Sequence, residues 1–201
     1  MTKLSLNKSS MLREVARLKS FERFLPSLDL KRKQLISERL KARQSHSRIQ
    51  SKMDAVQQSV HEDLPMLANY EIDLRGAVKL KQVHFGVENI MGARLPLVES
   101  IDLEVARYGY LAKPHWVDVV VRRLSRTLKL RVELEVAKRR EILLDEAVRK
   151  ATQRVNLVEK VLIPRSREHI KKIRVYLSDE ERAAVVRSKI AKRKRAAEGL
   201  S

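Results

Sequence analysis

Few side chains in this sequence have the type and spacing that chemistry needs. Five histidines, His46, His61, His84, His115 and His169, could ligate a metal or move protons, yet none stands at ligand spacing with acidic neighbours. There is no cysteine, which removes disulfides, thiolate metal sites and thiol nucleophiles together. Neither G-x-x-x-x-G-K-S/T nor G-x-G-x-x-G occurs, so no backbone cradle for a nucleotide phosphate is expected. His46 falls on a helical stripe and reads as a packed polar residue. Trp116 reads either as an anchor for a partner or as a staple within the chain. No catalytic residue, cofactor or metal is expected; the chain should act through contacts.

The abundant chemistry is charge. The 201 residues carry 44 Lys and Arg against 25 Asp and Glu, a net +19. Residues 1–60 hold 14 basic and 5 acidic side chains, residues 61–113 hold 6 and 8, and residues 114–201 hold 24 and 12. Basic ends and a slightly acidic middle imply different surfaces and different partners. Nucleic acid is not expected among them. Aromatics that could stack on bases make up only 4%, and Lys and Arg are interleaved with acids except in the cluster Lys189 to Arg195.

These surfaces must ride on long elements, because 5 glycines and 5 prolines leave few places to turn. The expected fold is mainly α: a long antiparallel two-helix coiled coil formed by the N- and C-terminal helices, with a small β-hairpin in the middle. The chain is expected to be one elongated domain in three parts, residues 9–63, 64–113 and 114–195. In the first helix, 3-4 spacing puts Leu18, Phe21, Leu25, Leu28, Leu35, Ile49, Met53 and Val56 on one seam, with Arg32, Arg39 and His46 as polar members. Ser9 or Ser10 is its expected N-cap and Pro26 an expected kink. In the last helix the same spacing selects Leu130, Leu134, Leu144, Val148, Val155, Val158 and Leu162, with Arg123, Thr127 and Glu141 polar. Past Pro164 the stripe resumes one residue out of phase at Ile170, Ile173, Leu177, Ala184 and Ala191, a skip in the heptad. Symmetric pairing about the linker would set Glu141 near Arg39.

The middle part holds four of the five glycines. Residues 78–87 alternate like a strand, Glu88 and Asn89 suit a turn, and residues 90–95 suit a second strand stopped by Pro96. Residues 97–108 fit a short helix or more strand. No apolar run is long enough to cross a bilayer, and no signal peptide opens the chain. A soluble, cytoplasmic chain is expected, one that can sit on a membrane complex but does not itself insert.

Three segments carry a resemblance: Lys3 to Ser10 with Leu28 to Leu35, then Arg154-Val155-Asn156 through Glu159, Val161, Ile163 and Pro164, then Ile170-Lys171-Lys172-Ile173, Leu177 and Glu181-Arg182. The arrangement resembles the D subunit of the V-type (archaeal/vacuolar-type) ATPases, including bacterial versions, over essentially the whole chain. Leu157-Val158, Lys172 and Pro26 depart from the usual pattern. The resemblance implies a central rotor shaft that transmits torque without catalysing, in a membrane-bound complex at the cytoplasmic face of the plasma (inner) membrane. Its implied partners are the A and B subunits of the catalytic head, the F subunit and the subunit coupling the shaft to the membrane ring. Lys171, Lys172, Arg174, Arg182, Arg187 and Lys192 are then candidate contacts to the head. Val83, Phe85, Val87, Ile90 and Trp116 are candidate contacts to the F subunit. On the residues alone, a free-standing coiled-coil scaffold and a basic rod on nucleic acid remain the alternatives.

Overall fold

The computed structural model describes residues 5–63, 76–106 and 116–198. In chain order these form α1 (Lys8–Asp63), β1 (Val78–Ile90), β2 (Ala93–Val105), α2 (Trp116–Leu157), a π-helical segment (Val158–Leu162) and α3 (Ile163–Glu198). Mainly helical with one two-stranded hairpin, this is the expected fold class. Expectations for residues 64–75 and 107–115, including the borders of the middle part at 64 and 113, lie outside the described residues.

α1 persists for 56 residues because it holds no glycine and only one proline. Its cap is Asn7, not Ser9 or Ser10. The Asn7 Oδ1 accepts the Ser10 N–H at 2.7 Å, while the Asn7 carbonyl accepts the first intrahelical bond from Met11. The helix runs through Pro26 without interruption. There the missing N–H leaves the Glu22 carbonyl without its usual donor.

The chain divides into two compact units. One comprises residues 1–30 and 151–201, the other residues 31–150. In the second unit, α1 and α2 run antiparallel. Arg39 Nη1 donates to Asp145 Oδ1 at 3.2 Å, His46 Nδ1 lies 2.9 Å from Glu141 Oε2, and Arg123 Nη1 donates to the Ser59 carbonyl at 2.6 Å. Every seam position from Leu35 to Val60 and from Val120 to Val148 is buried or half-buried, Leu35 and Leu144 almost completely. The expected Arg39–Glu141 pair does not form. The true register lies one to two turns away, so Glu141 meets His46 and, at 3.9 Å, Arg43. A carboxylate can only accept, so the His46 proton sits on Nδ1.

In the first unit the start of α1 pairs with α3, also antiparallel: Arg167 Nη2 donates to Glu22 Oε1 at 2.8 Å, and His169 Nδ1 lies 3.7 Å from Glu14 Oε2. The heptad skip takes the form of the π segment. The Ile163 N–H bonds the Val158 carbonyl five residues back, and the next residue, Pro164, has no N–H to give. One extra residue in the turn advances the stripe by one. Up to its last residue, Val155 is buried and Val158 and Leu162 half-buried; after it, Ile163, Ser166, Ile170 and Ile173 are buried and Leu177 half-buried. Ala184 and Ala191, expected on this stripe, are exposed.

The hairpin also differs from expectation. Its turn is Met91-Gly92, three residues later than Glu88-Asn89, and β2 continues through Pro96 to Val105. Both turn residues have positive φ, 52° and 87°, the pattern of a two-residue type I′ turn, and Asn89 Oδ1 accepts the Gly92 N–H at 2.9 Å. Counting from the Ile90–Ala93 closing pair, hydrogen-bonded and open pairs alternate, which makes Val87–Pro96 an open pair. Proline needs no ladder donor there, so it does not stop the strand.

Candidate partner-binding surfaces

The hairpin is fixed to the helices of its unit at two places. At its base, Ala77 and Val78 form a buried cluster with Val117 and Val121, flanked by Leu103, Trp116, Leu124 and Leu128. Trp116 is thus half-buried as a staple between hairpin and α2. Near the tip, Leu95 is fully buried and Arg140 of α2 grips both strands. Its Nη1 donates to the Pro96 carbonyl at 3.1 Å and its Nη2 to Glu88 Oε2 at 2.6 Å. Between these anchors lies a cavity of about 640 Å³, lined in part by Ile49, Ile90, Val98, Ile101, Ala137 and Leu144. Underpacked space beside a ring of anchors makes the tip depend on Arg140. Arg140→Ala should cost about 1–3 kcal/mol, the loss of two charge-assisted bonds, one to a carboxylate and one to a carbonyl, and should speed amide exchange at the hairpin tip while leaving the seam protected. Hydrogen exchange read residue by residue checks this; unchanged protection at the tip would contradict it.

The hairpin splits the residues suggested for the F subunit. Phe85 and Val87 are 58% and 71% exposed, opposite Val98 and Pro96, and form an outward apolar patch. Val83 is half-buried, Ile90 lines the cavity, and Trp116 is engaged in the base cluster. Arg140 and Glu88 carried no periodic signal, since a helix-surface arginine looks the same whether it faces water or a hairpin.

In the first unit, α3 extends past the pairing. From Asp179 to Ala196 every residue is exposed except Ala183, which is half-buried. Val185, Val186 and Ile190 are each at least 50% exposed, and five of the seven residues from Lys189 to Arg195 are cations. The six suggested head contacts, Lys171, Lys172, Arg174, Arg182, Arg187 and Lys192, are all exposed on this helix. An amphipathic helix end with apolar side chains in water and no partner among the described residues is marginal by itself, since helical stability comes chiefly from packing.

Among the described residues no group of His, Asp and Glu is placed to hold a metal ion, and no helix is long and apolar enough to cross a membrane. The described residues define a two-helix coiled coil that carries an inserted β-hairpin. Comparison with known proteins is specific. The family described as the D subunit of ATP synthase matches residues 10–193, and the chain belongs to that family. It is 35% identical over 192 residues to the V-type ATP synthase D subunit of Borreliella burgdorferi, covering 96% of this chain and 95% of the relative. It is 34% identical over 196 residues to the protein of that name in Chlamydia felis, covering 96% and 94%.

Proposed function

We propose that this chain is the central rotor shaft of a bacterial V-type ATP synthase, carrying torque between ATP turnover in a head of A and B subunits and ion movement through a membrane ring. The observation that carries the reading is the exposed, basic and partly apolar end of α3, which needs a sheath to remain helical. Acidic linings in the head would attract it. The Phe85–Val87 patch is the surface offered to the F subunit or to the ring-coupling subunit. The shaft does no chemistry; nucleotides turn over in the head. Rotation couples the two because each head site meets a different face of the shaft in turn, and a face that favours one nucleotide state is itself favoured by that state. The complex sits at a membrane through its other subunits.

The test is to purify the tagged chain from solubilised membranes. Head subunits should co-purify in a complex that hydrolyses ATP. Recovery of the chain alone, or with nucleic acid released by salt, would contradict the reading.

A further inference from the structure

We infer that the first unit contains a binding site for a small tetrahedral oxyanion of the phosphate class, set between the start of α1 and α3. A cavity of about 420 Å³ opens there, one turn beyond the π segment. The three buried polar residues found among the described residues, Ser10, Glu14 and Ser166, all line it. Polar side chains are normally kept out of a coiled-coil seam because burying them without partners costs free energy. Three in one place mark a site where something polar is accommodated.

The charges say what sign it has. Arg17 Nη1 holds Glu14 Oε1 at 2.8 Å, so the one carboxylate in the lining is already engaged. That leaves the Arg13 and Arg165 guanidiniums, which have no hydrogen bond or ion pair among the described residues and project on the same space. His169 supplies an independent observation. Its Nδ1 is wholly buried yet makes no hydrogen bond, standing 3.7 Å from Glu14 Oε2, too far to donate. The first turn of α1 has no acidic side chain to offset the positive end of its dipole. Two free guanidiniums, a ring nitrogen without a partner and two serine hydroxyls form a donor set matched to several oxygens of one anion, and guanidinium pairs such oxygens by two parallel bonds. Free phosphate and the phosphates of a nucleotide share this chemistry.

The site stands independently of the rotor reading, because it is tested on the chain alone. Inorganic phosphate is titrated calorimetrically into the full-length chain at constant ionic strength, with sulfate, ATP and chloride as parallel arms. Phosphate and sulfate should bind saturably, with a Kd near or below about 1 mM, and chloride should not. Equal or weaker binding of ATP assigns the site to the free anion; tighter binding of ATP assigns it to nucleotide phosphate, and both uphold an oxyanion site. Arg13→Gln and Arg165→Gln should each weaken binding roughly tenfold, whereas Lys192→Gln, which removes the same charge elsewhere, should not. Arg13 and Arg165 are exposed, so these variants should keep the parent's helicity and melting temperature. Heats that fail to saturate or match chloride, or binding that survives the double variant, would overturn the proposal.

Discussion

Deleting Glu168 from the regular part of α3 should unzip Ile170 and Ile173 from α1, whereas deleting Val161 from the π segment should not. Each helical residue advances the chain by about 100°, so losing Glu168 turns Ile170 and Ile173, now buried, out of line with Ile163 and Ser166. Losing the burial of two isoleucines costs about 3–6 kcal/mol at roughly 1.5–3 kcal/mol per large aliphatic side chain. For a chain of this size that lowers the melting temperature by more than about 6 °C. The π turn, by contrast, holds one residue more than an α turn needs. Without Val161 the segment closes into regular α-helix, and Ile163, Ser166, Ile170 and Ile173 continue the 3-4 spacing of Val155 and Val158. That variant should match or exceed the parent's melting temperature. Calorimetry on the three chains checks this; a loss on deleting Val161 as large as that on deleting Glu168 would mean that the π segment does not absorb the extra residue.

Ending the chain at Ser178 should have the opposite signature: an intact fold and a failed machine. Nothing described packs against residues 179–196, so the melting temperature should hold within a few degrees. The removed segment carries Val185, Val186, Ile190 and the cation cluster, the surfaces proposed to meet the head. ATP-driven ion transport by the assembled complex should fall at least tenfold, a loss that needs only about 1.4 kcal/mol of coupling energy. Full transport by the shortened chain would remove this segment from the mechanism.

The legible parts of the fold were those in which one residue type repeats along one element. The seams of α1 and α2 announce themselves because each apolar residue must recur every third or fourth position to meet a partner helix. The jump between Leu162 and Ile163 was visible as a change of phase, although phase alone cannot distinguish a π turn from a broken helix. Features that depend on two elements were hidden. The register error of one to two turns, which exchanged Arg39 for Arg43 and His46 opposite Glu141, arose because spacing along one helix does not fix which residue of the partner helix it faces. Ala184 and Ala191 repeat correctly but face no partner among the described residues, since α1 begins at Lys8 and pairing near residue 14 already reaches His169. Pro96 read as a strand terminator because the sequence does not show which edge of a strand carries the ladder. The polar cluster of Ser10, Glu14, Ser166 and His169 joins residues more than 150 positions apart, and no local pattern links them.

The shaft reading depends on relative motion between this chain and the head. Because the chain has no cysteine, Val175→Cys supplies a single thiol on an exposed face of α3, to be paired with a second cysteine engineered into the head that the proposed function places around it. Oxidation to a disulfide should stop multi-turn ATP hydrolysis by the purified complex, and reduction should restore it. Hydrolysis that continues at the uncrosslinked rate, with the disulfide verified, would show that the chain does not turn within the head.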